Sequence, residues 1–223
     1  MNSFRFIESD PRFFAEATRE MAPLQVGGGR SFWFMKRIFD CLFSIFLIPA
    51  LLICAVLLTI VNPFLNPGSL LYVQKRMGKG CTSFSAYKFR SMRSVSKLER
   101  GADDPLESDR ISMAGKFIRK SRIDELPQII NVLLGDMSLL GPRPDYFEHA
   151  REYCVSVPNY RSRYSVRPGI SGLAQVRLGY VEGTQGTHAK TAVDLEYLRN
   201  ASFRQDTALV FETIRCVAMR AGA

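Results

Sequence analysis

Cys41 to Val61 is a run of 21 residues without a charge, interrupted only by Ser44, Pro49 and Thr59. At about 1.5 Å per residue, a helix of this length reaches across a hydrocarbon core of about 30 Å. A core helix of a soluble protein would show a polar face, and this run shows none. The segment is therefore expected to enter a membrane. Arg30, Lys36 and Arg37 precede it, and Lys75, Arg76 and Lys79 follow it. Basic residues favour the cytoplasmic side, so a simple crossing conflicts with one flank or the other. Pro49 removes a helical hydrogen bond and crowds the preceding turn. A Pro-broken re-entrant helix, entering and leaving by one face, meets both observations. The alternative is a signal anchor with a tolerated proline.

The apolar share of the whole chain is 47%, which excludes a polytopic membrane protein. The net charge of +9 calls for an anionic partner: nucleic acid, acidic lipid or a phosphorylated substrate. The five cysteines, Cys41, Cys54, Cys81, Cys154 and Cys216, are odd in number and form no C-x-x-C. They argue against a disulfide framework and a zinc site, and they fit a reducing compartment. With only His149 and His188 present, a histidine-based metal centre is not expected.

Three parts follow. Residues 1–35 form an N-terminal arm, either a surface-lying helix or partly disordered, with no secretory signal pattern. Residues 36–68 hold the membrane helix, closed by Pro63, Pro67 and Gly68. Residues 69–223 form a compact α+β domain. Within it the pattern predicts strands over 70–73 and 84–89, an exposed loop over 94–110, and helices over 111–120, 126–134 and 147–155. A strand is expected to run towards Val176, and amphipathic, interfacial helices are expected over 192–198 and 208–219.

Arg122-Ile-Asp-Glu-Leu-Pro-Gln128 is the most informative stretch. Pro127 is acceptable only near a helix start, which puts Asp124 and Glu125 at or just before a helix N-terminus. Free N–H groups there favour anions, both a carboxylate and a phosphate. Arg119, Lys120 and Arg122 add positive charge. Two adjacent carboxylates in such a setting suit Mg²⁺, or a division into nucleophile and helper. An acidic first turn of an ordinary surface helix gives the same local pattern. Pro142-Arg143-Pro144 holds one arginine in a stiff frame, suited to a phosphate or nucleotide, though a stiff turn with a solvated arginine reads alike. On a strand, Lys88 and Arg90 share a face, which serves phosphate binding or plain packing.

Together and in order, these pieces resemble the bacterial sugar transferase family, the monotopic phosphoglycosyl transferases. The resemblance rests on Lys-Arg-Ile-Phe-Asp at 36–40, Tyr-Lys-Phe-Arg-Ser-Met at 87–92, Arg-Ile-Asp-Glu-Leu-Pro-Gln at 122–128, Gly-Asp-Met-Ser-Leu-Leu-Gly-Pro-Arg-Pro at 135–144 and Arg-Pro-Gly-Ile-Ser-Gly-Leu-Ala-Gln-Val at 167–176. It implies a transferase at the bacterial inner membrane, with its catalytic domain on the cytoplasmic face. Asp124 would attack a UDP-sugar and form a phosphosugar-aspartyl intermediate, and polyprenyl phosphate would then accept the phosphosugar. Glu125 would assist, Asp124 and Glu125 would hold Mg²⁺, and Arg119 would belong to the active site. Lys88, Arg90, Pro142, Arg143, Pro144 and Arg177 would bind nucleotide or phosphate. Membrane lipids are the further partners, an oligomer is compatible, and no nucleic acid beyond the nucleotide is implied. Two rivals remain: a membrane-anchored basic module for nucleic acid or acidic lipid, and a membrane-tethered sugar-nucleotide phosphohydrolase.

Overall fold

The computed structural model describes residues 24–93, 110–179, 181 and 183–219. The expected arm lies outside the described residues as far as 23, and the expected loop as far as 109.

Helix α1 spans Arg30–Leu65 and contains both Pro49 and Pro63. It begins six residues before the expected boundary at 36. It is the one helix among the described residues long and apolar enough to cross a membrane. Its buried positions are Phe32, Lys36, Asp40 and Ser44, spaced by four along one face. Lys36 and Asp40 on that face meet polar partners. Lys36 Nζ pairs with Asp206 at 2.7 Å, and Asp40 accepts from Ser138 Oγ at 2.7 Å and Leu139 N at 3.1 Å. The end of α1 also contacts the domain. Asn66 Nδ2 donates to Arg90 O at 3.2 Å, and the Arg90 guanidinium donates to Asn66 O.

Strands β1 (Leu71–Met77) and β2 (Ser83–Phe89) form an antiparallel hairpin with Lys88 opposite Tyr72. Helices α2 (Met113–Lys120) and α3 (Gln128–Leu134) follow, separated by a 3₁₀ turn over Ile123–Glu125. The fully buried Asn131 of α3 continues the sheet pattern along β2. Its Oδ1 accepts from Tyr87 N at 3.0 Å and its Nδ2 donates to Ser85 O at 2.7 Å. A side-chain amide thus satisfies backbone groups that a third strand would otherwise pair.

Strand β3 (Ser138–Leu140) pairs in parallel with β4 (Gly169–Ser171). Between them lie α4 (Phe147–Ser156) and a 3₁₀ segment over Tyr160–Ser165. Helix α5 covers Leu173–Leu178, where the sequence suggested more strand. Gly172 ends the extended run, and all of Leu-Ala-Gln-Val-Arg-Leu except Val176 are good helix formers. Helices α6 (Gly183–Arg199) and α7 (Phe203–Ala218) complete the α+β architecture. Two cores hold it. One packs Met77, Ala150, Tyr153, Val157, Tyr160 and Tyr164, the other Val166, Leu173, Leu195, Tyr197, Leu198 and Leu209. Phe203, Phe211, Ile214 and Val217 of α7 remain exposed, as does Phe117 of α2.

Candidate active site

Arg122 adopts a left-handed conformation (φ 58°, ψ 13°) that ends α2 and reverses the chain into the 3₁₀ turn. Non-glycine residues pay about 1–3 kcal/mol for such a backbone, and they cluster at functional sites. The turn buries Asp124 and Glu125 side by side, just ahead of Pro127 at the start of α3. The proline rule therefore places the acidic pair where the structure has it.

The two carboxylates have opposite surroundings. Glu125 Oε2 accepts from Arg143 Nη1 at 3.0 Å, and Glu125 Oε1 meets Arg143 Nη2. Lys88 Nζ donates to the same Oε1 at 3.2 Å, and Arg122 Nη1 stands 3.7 Å from it. Burial alone would raise the Glu125 pKa. The charges of Arg143 and Lys88 outweigh burial and hold it well below the usual carboxylate range. Asp124 Oδ1 is buried and has no hydrogen-bond partner. Burial, followed by the charge of Glu125, pushes the Asp124 carboxyl up to about 6. Lys88, Arg143 and Arg119 pull it the other way. Burial also lowers Lys88 to about 8, against the pull of Glu125.

Arg143 is fixed from several directions. Its Nη1 donates to Ile170 O at 3.0 Å. Around its loop, Gly141 N donates to Ser171 O and Gly169 N donates to Pro142 O, each at 2.9 Å. A Cβ on Gly169 would lie 2.2 Å from Gly141 N, so only glycine allows this approach. Arg76 Nη1 donates to Pro144 O at 2.6 Å, and Arg163 Nη2 donates to Arg143 O at 3.0 Å.

Arg163 belongs to a cluster that sequence reading missed. It is fully buried and reaches Asp145 at 2.7 Å and Asp194 at 2.8 Å. Asp145 also accepts from Tyr160 Oη at 2.7 Å and pairs with Lys190. These residues are scattered from 145 to 194, and no short-range spacing announces them. Gln175 was also passed over as a site residue. With its amide turned to match its neighbours, its oxygen accepts from Arg122 Nη1 at 3.0 Å.

Asp124, Glu125, Lys88 and Arg143 thus converge, with Arg119 close enough for its charge to act on Asp124. Pro142 and Pro144 flank Arg143 as a frame. Arg90 goes elsewhere: β2 ends at Phe89, and the Arg90 guanidinium turns to the end of α1 at Asn66. The shared face expected of Lys88 and Arg90 therefore does not bring both to the carboxylates. Arg177 is exposed and pairs with Glu196 of α6 at 2.9 Å.

The donor set can be weighed against Mg²⁺. Among the described residues no three acidic, histidine or cysteine side chains cluster as a cage. Mg²⁺ seldom needs one, since one or two carboxylates plus substrate phosphates suffice. The unpartnered Asp124 Oδ1 fits that role, whereas both Glu125 oxygens are engaged by cations.

The profile of a family described as Bacterial sugar transferase matches residues 31–220. The UDP-N-acetylgalactosamine-undecaprenyl-phosphate N-acetylgalactosaminephosphotransferase of Aeromonas hydrophila is 41% identical over 191 residues, covering 85% of this chain and 45% of that protein. The UDP-glucose:undecaprenyl-phosphate glucose-1-phosphate transferase of Caulobacter vibrioides is 36% identical, covering 80% of this chain and 68% of that protein. The exopolysaccharide production protein PSS of Rhizobium leguminosarum bv. phaseoli is 38% identical, covering 81% of this chain and 93% of that protein. The chain thus spans under half the length of the Aeromonas relative and nearly all of the Rhizobium one.

Proposed function

Since the chain belongs to the bacterial sugar transferase family, we propose that it moves a sugar 1-phosphate from a UDP-sugar to undecaprenyl or a related polyprenyl phosphate, the first step of a surface polysaccharide or glycoconjugate. The names of the relatives support donor and acceptor. The observation that carries the mechanism is the contrast within the dyad: Glu125 is clamped by Arg143 and Lys88, while Asp124 keeps a buried, unpartnered oxygen.

Asp124 is the nucleophile. Its oxygen attacks the β-phosphorus, the bond to the bridging oxygen breaks, and UMP leaves. The phosphosugar then sits on Asp124. An oxygen of the polyprenyl phosphate attacks the same phosphorus and regenerates the carboxylate. Glu125 orients the cations, so that Arg143, Lys88 and Arg122 face the phosphoryl oxygens where charge develops. A Mg²⁺ held by Asp124 and the substrate diphosphate would neutralise the leaving phosphate.

The domain sits on the cytoplasmic face of the inner membrane, with α1 re-entrant. Both ends of α1 dock on the same domain, through Lys36 and Asp40 at one end and Asn66 at the other. A straight helix over those 30 residues would carry its ends about 45 Å apart. Pro49 lies near the midpoint, where a proline removes a helical hydrogen bond and favours the bend that re-entry needs. The exposed apolar face of α7 suits the membrane interface.

The test is turnover of labelled UDP-sugars by the full chain in micelles, with and without polyprenyl phosphate. UMP release together with labelled lipid, dependent on the acceptor, is expected. Free phosphosugar without acceptor would instead identify a phosphohydrolase. Salt-sensitive DNA binding without turnover would favour a basic binding module.

A further inference from the structure

A cleft of about 280 Å³ lies between the first turns of α1 and the C-terminal end of α3, lined in part by Trp33, Lys36, Arg37, Asp40, Lys79 and Arg167. Its volume equals roughly nine waters' share of the liquid. It is separate from the acidic dyad, which sits at the opposite, N-terminal end of α3, about 10 Å away along seven residues of helix.

The charges in this cleft do not cancel. Lys36 is neutralised by Asp206 at 2.7 Å. The Asp40 oxygens are turned to Ser138 and Leu139. Arg37 donates to the carbonyls of Leu133 and Met137 at 3.3 and 3.4 Å, and Arg167 Nε donates to Gly135 O at 2.7 Å. Both guanidiniums therefore cap the end of α3 through neutral carbonyls. Arg167 and Lys79 are exposed. Three cations, Arg37, Lys79 and Arg167, thus stand against one carboxylate, Asp40.

The cleft also has a defined depth. Arg37 comes four residues before Cys41, where the uncharged run begins. Trp33, whose indole N–H donates to Gly27 O at 3.1 Å, lies one turn further out. Tryptophan and basic residues at the end of an apolar helix mark the headgroup layer.

We infer that this cleft binds the phosphate of an anionic phospholipid headgroup, through Arg37, Lys79 and Arg167, at a site distinct from the active site. The inference uses the membrane seat of α1 and none of the transferase chemistry. A free phosphate ion shares the recognition chemistry, but only a lipid delivers it at this depth.

Trp33 is the only tryptophan in the chain, so its emission reports on the cleft. The full chain in phosphatidylcholine micelles is titrated with phosphatidylglycerol, and separately with inorganic phosphate. A saturable change with phosphatidylglycerol is expected. The double variant Lys79→Gln, Arg167→Gln should move its midpoint roughly thirtyfold, and Lys79→Gln alone, at an exposed site, about fivefold. Lys116→Gln with Arg204→Gln removes the same charge elsewhere and should shift it less than threefold. Equal shifts in the two double variants would mean diffuse surface attraction and overturn the site. So would the absence of saturation, or an unshifted midpoint in Lys79→Gln. An equal response to inorganic phosphate would overturn the lipid as ligand. Sugar-transfer activity enters none of these readouts.

Discussion

Arg143 holds Glu125 by both carboxylate oxygens, while Asp124, the next residue in the chain, keeps an oxygen that nothing meets. Two carboxylates one peptide bond apart are thereby driven in opposite directions: one locked as an ion, the other desolvated and raised to about 6. Divided environments of this kind separate acid–base and nucleophilic roles elsewhere in enzymology.

Asp124→Asn should abolish turnover and stabilise the fold. The folded pKa of Asp124, about 6, lies above the unfolded value near 3.9, so the folded chain holds that proton more tightly. That contribution is full below pH 4 and is lost as pH rises through 6. At pH 7 the ionised carboxylate is a burden, and the amide removes it. A gain of roughly 1–3 kcal/mol is expected, a few degrees in Tm. More than a few per cent residual activity would remove Asp124 as nucleophile, and a lower Tm would contradict the electrostatic reading.

The pH profile of kcat/KM should be bell-shaped. Below about 6 Asp124 takes up a proton and the rate falls about tenfold per unit. Above about 8 Lys88 loses its proton, and Glu125 loses one of its cations. The apparent values belong to the coupled group rather than to single residues. In Lys88→Arg the alkaline limb should move beyond pH 9.

Arg143→Ala should lower kcat/KM by roughly 10- to 150-fold, the cost of about 1.5–3 kcal/mol for a lost charge-assisted hydrogen bond. Arg143→Lys should restore only part, since an ammonium cannot grip two oxygens at once. Because Glu125 loses its clamp, the fall should appear in kcat as well as in KM for the sugar nucleotide. Steady-state kinetics at varied UDP-sugar separates the two.

Arg163→Met should destabilise the chain by about 3–5 kcal/mol, because it strands Asp194 in the interior and leaves Asp145 with Lys190 as its one remaining ion-pair partner. Denaturant melts of the full chain in micelles measure this. An effect below 1 kcal/mol would show that the cluster adds little to the fold.

If α1 is re-entrant, cysteines introduced at Gly29 and Ser69 should both resist a membrane-impermeant periplasmic reagent in intact cells. Gly29 has open space for a side chain, unlike Gly28 with φ at +66°. Labelling of one site alone would mean that α1 spans.

Much of the dyad's setting is legible in the sequence because its signals are local. Pro127 fixes where α3 can start, and strand alternation aims Lys88. Arg90 escapes the same rule since the strand stops one residue earlier and its side chain joins the end of α1. The segment after Gly172 is too short for periodicity to distinguish strand from helix, and tertiary packing decided for helix. The Arg163 cluster gathers residues nearly 50 positions apart, a relation carried only by the folded chain.

Helix α3 carries the acidic dyad at one end and the Arg37 contacts from α1 at the other. Two turns of helix, about 10 Å long, are too short to flex appreciably. They act as a stiff strut between α1 and the acidic dyad. A rotation or change of depth of α1 is therefore passed to the dyad as a displacement rather than absorbed. With α1 seated in a bilayer as proposed, a change in bilayer thickness would reach Asp124 and Glu125 as a mechanical input through α3, apart from any contact that the lipid acceptor itself makes.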